Sequence, residues 1–290
     1  MKITRVLIFF SFLSFANLVH TADLIPGALY APPPDLDIGM VSYFNVELGQ
    51  EYKDDSKQAL DTEVVMSATV PRYTRTFTMA ERPAAFYALV PYIQLQPNGV
   101  IKDIAGKNED GMGDLGLALA YWLYDDKLNG DYLAATFILE APTGQYDSNK
   151  LLNSGKNRYS FVFNLGGMTR LTDKVAWMAV AGTQWFEDND DYRLTHQNYQ
   201  QKNLYTLQNT LMYEPNPILT LAASHYIHRG GKSSLGGLTQ YENVNTDRWQ
   251  LFLKIKFDSS SLLLHYGQDY SVENGFKQDR LLILRLQHLF

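Results

Sequence analysis

The sequence contains no cysteine. In an exported chain this removes disulfides, thiol nucleophiles and Cys-based metal sites together. Beyond its first residues it has no run of about 18 apolar residues, which excludes membrane-spanning helices. Basic residues are outnumbered: 25 Lys and Arg against 31 Asp and Glu give a net charge of −6 with no basic patch, arguing against nucleic acid as a partner. Helical spacing of apolar residues is scarce. No Gly-x-Ser-x-Gly elbow is present. HYIHRGGKSS, residues 225–234, fails as a phosphate loop because Tyr226 stands where glycine is required. The acidic run at 187–192 lacks the glycine and the terminal glutamate of an EF-hand. No cofactor, metal or catalytic residue is expected.

What is abundant is aromatic side chain, with 19 Tyr and 15 Phe, and alternation of period two. Residues 1–22 have the layout of a secretory signal peptide, with a basic start, an apolar run at 6–15, and cleavage after Ala16 or Ala22. Residues 23–290 then form one domain with twelve expected strands: 38–48, 62–77, 84–96, 114–124, 131–141, 158–171, 175–185, 204–213, 218–228, 248–257, 261–270 and 280–290. In the tenth, Trp249, Leu251, Leu253, Ile255 and Phe257 oppose Arg248, Gln250, Lys254 and Lys256. The fourth and sixth alternate as cleanly, but 175–185 does not, and its facing stays unassigned.

Short and long connections alternate, and the even strand count puts both termini on the short-turn side. That is the pattern of an outer-membrane β-barrel. In hydrocarbon every backbone N–H and C=O pairs within the protein, so the sheet closes on itself. The fold class expected is all-β, a transmembrane antiparallel barrel of about twelve strands in the outer membrane of a Gram-negative bacterium. Pro71 and Pro91 fall inside expected strands and require bulges or a place near the rim. The chain stops on LLILRLQHLF, and the terminal Phe290 resembles the signal read by the barrel assembly machinery.

The most distinctive stretch is ILEAPTGQYDSNKLLNSGKNRYSF, residues 138–161. Pro142-Thr143-Gly144, Tyr146-Asp147, Asn153, Gly155, Asn157 and Tyr159-Ser160-Phe161 resemble the hallmark of the outer-membrane transporters assigned to the phenol meta-degradation pathway. Gly113-Asp114-Leu115 resembles the same family's Gly-Asp-Leu, whereas Tyr159 stands where members most often carry Trp. The resemblance implies a barrel that admits small, often aromatic or hydrophobic, solutes. From the residues themselves, Pro142 ends pairing, Gly144 and Gly155 allow turns with positive φ, and the Asp and Asn side chains cap exposed backbone. Such a loop either folds inward as a constriction or covers the rim.

Inward parity is expected for Glu47, Glu63, Asp114, Glu140, Arg158, Arg170, Arg248, Lys254, Lys256, Asp269 and Arg285, and for Tyr43, Tyr92, Trp122, Tyr124 and Tyr132. Either these charges pair and plug a narrow lumen, or some line a solute path, with Arg158, Arg248 and Lys254 preferred and Arg170, Glu140, Tyr92 and Trp122 beside them. The function expected is passive or facilitated uptake of a small solute. A plugged barrel with a structural or surface role is the alternative. An outer-membrane hydrolase built on Ser233 or Ser234 with His225 or His228 is a weaker one. Lipid, lipopolysaccharide, the assembly machinery and a small solute are the expected partners.

Overall fold

The computed structural model describes residues 23–290, so the expected signal peptide lies outside the described residues. Twelve antiparallel strands pair in chain order. They are β1 (Asp37–Lys53), β2 (Thr62–Met79), β3 (Arg82–Leu89 and Tyr92–Asn98), β4 (Glu109–Met112 and Leu115–Asp126), β5 (Asp131–Ala141), β6 (Ser160–Thr172), β7 (Val175–Phe186), β8 (Leu204–Tyr213), β9 (Leu219–Gly230), β10 (Thr246–Phe257), β11 (Ser260–Val272) and β12 (Gly275–Leu289). The first strand pairs with both β2 and β12, from Ile38↔Thr74 and Ile38↔Leu289 upward, and this closes the barrel. A closed sheet has no edge, which is the condition for a strand wall in hydrocarbon.

The outer face explains why the molecule belongs in lipid. Leu119, Phe137, Phe163, Leu165, Leu207, Leu211, Leu251, Leu264 and Leu284 all project outward and exposed. A continuous apolar band of this extent is incompatible with water. Exposed aromatics gather at both rims, with Tyr124, Trp177, Tyr213 and Phe257 near the short turns and Tyr159, Trp185, Tyr205 and Tyr270 near the long loops. These are the interfacial girdles of a membrane barrel.

Both prolines meet at one interruption in the wall. The two segments of β3 pair with β2 on either side of Val70 and Pro71, leaving Val90 and Pro91 outside the ladder. Gly113 N donates to Pro91 O at 2.7 Å, and β4 breaks at that point too. The missing proline donors are thus placed where the ladder is already open.

The strands β1 and β2 run 17 and 18 residues, well beyond the ~9–11 that cross a bilayer. Their upper inner face is apolar, because it packs against polypeptide inside the barrel. Val46, Leu48, Val64, Met66, Leu95, Leu281 and Ile283 form one cluster with Leu151 and Leu152 of the long 142–159 connection. Ile101 of the short helix α1 (Gly99–Ala105) joins it. The usual rule, apolar out and polar in, is therefore inverted on these strands. Glu47 and Glu63 face outward, contrary to expectation: Glu47 pairs with Arg280 and Glu63 accepts from Asn98. Tyr43 faces outward for the same reason, and Tyr124 does so because a bulge between Trp122 and Tyr124 switches the parity of β4.

Strand β7 buries Ala176, Met178 and Val180 on the inside, against Leu29 of the N-terminal segment, and sends Trp177 and Trp185 outward. With apolar residues on both faces, its sequence alternates poorly. Four short strands, Asn189–Tyr192, Gln197–Gln201, Ser233–Leu235 and Leu238–Tyr241, form a second small sheet in the long loops.

Candidate functional site

The lumen is occupied at two levels, and a cavity of about 410 Å³ touches both fillings. At the short-turn end, residues 23–36 enter the barrel before β1. Two turns shape this segment, Ala28 N donating to Ile25 O and Tyr30 N to Gly27 O. Inner-wall side chains then take up its backbone and polar groups. Gln208 accepts from Leu24 N at 3.0 Å and donates back to Leu24 O at 2.9 Å, as a neighbouring strand would. Trp122 Nε1 donates to Leu29 O at 2.8 Å. Tyr30 donates to Glu214 at 2.7 Å and accepts from Arg170, which itself pairs with Glu214 at 3.1 Å. Leu29 is buried among Trp122, Tyr132, Met168, Met178, Met212, Phe252 and Leu263. Asp23 reaches furthest, to 3.9 Å from Arg248.

At the long-loop end the 142–159 connection turns inward, which decides between the two placements open to it. Its leucines are buried in the cluster described above. The fold of the loop hangs on Asp114, whose Oδ1 accepts from Gly144 N and whose Oδ2 accepts from Lys156 N, both at 2.9 Å. Gly144 and Gly155 are needed for proximity rather than for positive φ, which neither adopts. A Cβ on Gly144 would stand 2.7 Å from Gly113 C and 2.8 Å from Gly155 Cα. Asn157 is the residue with positive φ, 54°.

The remaining hallmark side chains hold the loop to itself and to its neighbour. Thr143 accepts from Leu115 N, and Asn153 accepts from Asp147 N at 2.7 Å. Asn149 N donates to Asp147, which holds that carboxyl below its usual value. Tyr146 accepts from Arg193 N and donates to Asp191 O. Pro142 follows the last residue of β5, as a strand terminator should.

The expected lining residues fall in four places. Arg248, Lys254 and Glu140 line the cavity, but Arg248 is paired with Asp269 at 2.7 Å and Glu140 with Lys156 at 2.8 Å. Arg158 is buried at the upper end, its guanidinium 4.5 Å from the Phe186 ring centre and 5.2 Å from that of Tyr199, with Gln201 accepting one N–H. Arg170 and Trp122 anchor the N-terminal segment. Tyr92 is not in the lumen. It faces outward, 39% exposed, and donates to Asp110, because the inner positions at this height belong to Pro91, Ile93 and Leu95.

Residues that sequence reasoning missed are Gln208, Leu29, Tyr226, His265 and Arg72, all at inner-wall or lumenal positions. Only the Leu151-Leu152 pair carried a visible signal, two apolar residues in a polar loop. His225 faces outward onto the Tyr270 hydroxyl at 2.7 Å, and His228 faces inward onto Thr206. Ser233 and Ser234 instead pair with Gln201 and Gln200 in the small loop sheet.

A closed twelve-stranded barrel with a lipid-facing apolar band, a polar-and-aromatic cavity and an inward-folded loop defines an outer-membrane channel of a Gram-negative bacterium. The family described as "Putative MetA-pathway of phenol degradation" matches residues 47–286, and the chain belongs to it. The crystal structure of the COG4313 outer membrane channel from Pseudomonas putida F1 is similar at 26% identity, with a TM-score of 0.87 over 92% of this chain and 100% of that one. The translocator domain of the autotransporter NalP from Neisseria meningitidis shares the fold, at 10% identity and a TM-score of 0.55 over 92% of each chain. So does the β domain of the Bordetella autotransporter BrkA, at 10% identity and 0.53 over 88% of this chain and 100% of that one. No curated protein matches.

Proposed function

We propose that the protein admits a small aromatic or otherwise apolar solute across the outer membrane by passive diffusion, without cofactor or covalent chemistry. One observation carries this reading: a cavity of about 410 Å³, lined by Phe44, Tyr87, Tyr226 and several cationic side chains, lies inside a lipid-embedded barrel. Cavities of ~300–1,000 Å³ suit small molecules. The family's assignment to phenol degradation agrees with such a solute. Arg158, Arg248, Lys254 and Glu140 contribute to the lining. The 142–157 loop acts as the upper constriction and the segment 23–31 as the lower one, so passage requires one or both to shift. Residues 1–22 serve as the export signal, Phe290 as the mark read by the assembly machinery, and the outer loops meet lipopolysaccharide.

Swelling of proteoliposomes in sodium benzoate tests the reading, with a sugar of larger cross-section as the reference solute. Faster swelling in benzoate than in protein-free liposomes is the expected result. A second reading, a plugged barrel with a structural or surface role, is favoured by the double filling of the lumen. It requires no swelling in any solute, even for a variant lacking residues 23–31.

A further inference from the structure

On the inner faces of β2 and β12, Arg72 and Arg285 form no ion pair among the described residues. Arg72 of β2 lies in register with Met40 of β1, and Arg285 of β12 with Ser42 of β1. They therefore flank β1 from opposite sides, one inward position apart, across roughly 10 Å of sheet. Both line the central cavity.

Among the described residues Arg72 has one partner, the Tyr87 ring, 5.1 Å from its guanidinium carbon. Arg285 lies 5.5 Å from the Phe44 ring centre and makes a long 3.4 Å contact to His265 Nε2. The Nε atoms of both are inaccessible and unbonded. Arg248 and Arg170 on the same inner wall differ in kind, each holding a carboxylate, Asp269 or Glu214. A guanidinium withdrawn from water without a counter-charge is costly, and two side by side are more so. Asp23 lies 3.9 Å from Arg248 rather than forming an ion pair with Arg72 or Arg285.

We infer that Arg72 and Arg285 form a lumenal binding site for the carboxylate of a small aromatic acid. Their N–H forks match a carboxylate in shape and charge. The rings of Phe44 and Tyr87, already stacked beneath the guanidiniums, offer apolar faces to the aromatic body. This deepens the channel reading, since the site rests on the lumen being the solute's path.

The test is benzoate binding to the full-length mature protein refolded in detergent, read by saturation-transfer NMR, with benzamide as the neutral isostere and inorganic phosphate as the non-aromatic anion. Benzoate should bind saturably and benzamide at least ~10-fold more weakly, the loss of a charge-assisted contact. The double variant R72Q/R285Q should weaken benzoate to a similar degree, whereas K174Q at an exposed turn should not. Because neither buried guanidinium is held by a carboxylate, the double variant should melt no lower than the wild type. Equal benzoate binding by R72Q/R285Q, or phosphate competing as well as benzoate, would overturn the site. A double variant that loses benzoate and melts several degrees lower would show the arginines to be structural and would overturn it too. Binding needs no bilayer, so a protein that binds benzoate but does not conduct keeps the site and loses the channel. One that conducts without binding does the reverse.

Discussion

Asp114→Asn should release the inward loop. The wild-type carboxylate accepts two backbone N–H groups, from Gly144 and from Lys156, at 2.9 Å each. In asparagine one oxygen becomes an NH₂ group, so one of the two N–H donors faces another donor and the charge is lost. A charge-assisted hydrogen bond contributes ~1.5–3 kcal/mol, and 2 kcal/mol corresponds to about a 30-fold larger open population. The absence of cysteine makes the assay clean. Leu152, 2% exposed in the closed loop, becomes a single maleimide-reactive probe as Leu152→Cys. Labelling then reports the opened fraction, provided opening and closing are fast relative to the reagent. The rate should rise about 30-fold when Asp114→Asn is added to the same background, and further with Asp114→Ala. Equal labelling rates with and without Asp114→Asn would refute the claim that this carboxylate holds the loop.

The other predictions concern packing, pairing and assembly. Gly144→Ala should destabilise the closed loop by ~1–3 kcal/mol, because its methyl meets backbone of Gly113 and Gly155; Leu152→Cys labelling reports it. Asp269→Ala leaves the buried Arg248 guanidinium and the Gln278 N–H without their acceptor, so ~3–5 kcal/mol should be lost, visible as a lower melting temperature of the refolded barrel. Deleting Phe290, whose backbone N–H donates to Asp37 O across the closing seam, should reduce outer-membrane levels of the protein; unchanged levels in membrane fractions would remove it as an assembly mark.

How much of this was legible beforehand depended on what filled the lumen. Where a strand faces lipid on one side and small or polar groups on the other, the alternation is plain. The fifth and eighth strands end where the sequence places them, and β10 sends Trp249 to Phe257 outward as read. On β1, β2 and the upper part of β3 the inside is apolar, because Leu151, Leu152 and Ile101 pack there. Parity assigned by polarity then reverses, which misplaced Tyr43, Glu47, Glu63 and Tyr92. The lower filling had the same effect on β7, through Leu29. Neither filling is a local property of the strand it disguises. Arg72 was hidden more simply, by following Pro71 in a stretch read as a strained strand rather than as lining. The hallmark loop was legible as a unit, yet its inward fold rests on a buried cluster that joins residues far apart in the chain, Leu152 and Val46 among them.

The central claim is that the lumen conducts. Single-channel recording of the refolded protein in a planar bilayer tests it most directly, with sodium benzoate added after a baseline in chloride. The account predicts discrete openings whose current falls as benzoate occupies the cavity, and falls less in R72Q/R285Q. A silent bilayer, from protein shown to be folded by its heat-modifiable mobility, would contradict it and leave a plugged barrel.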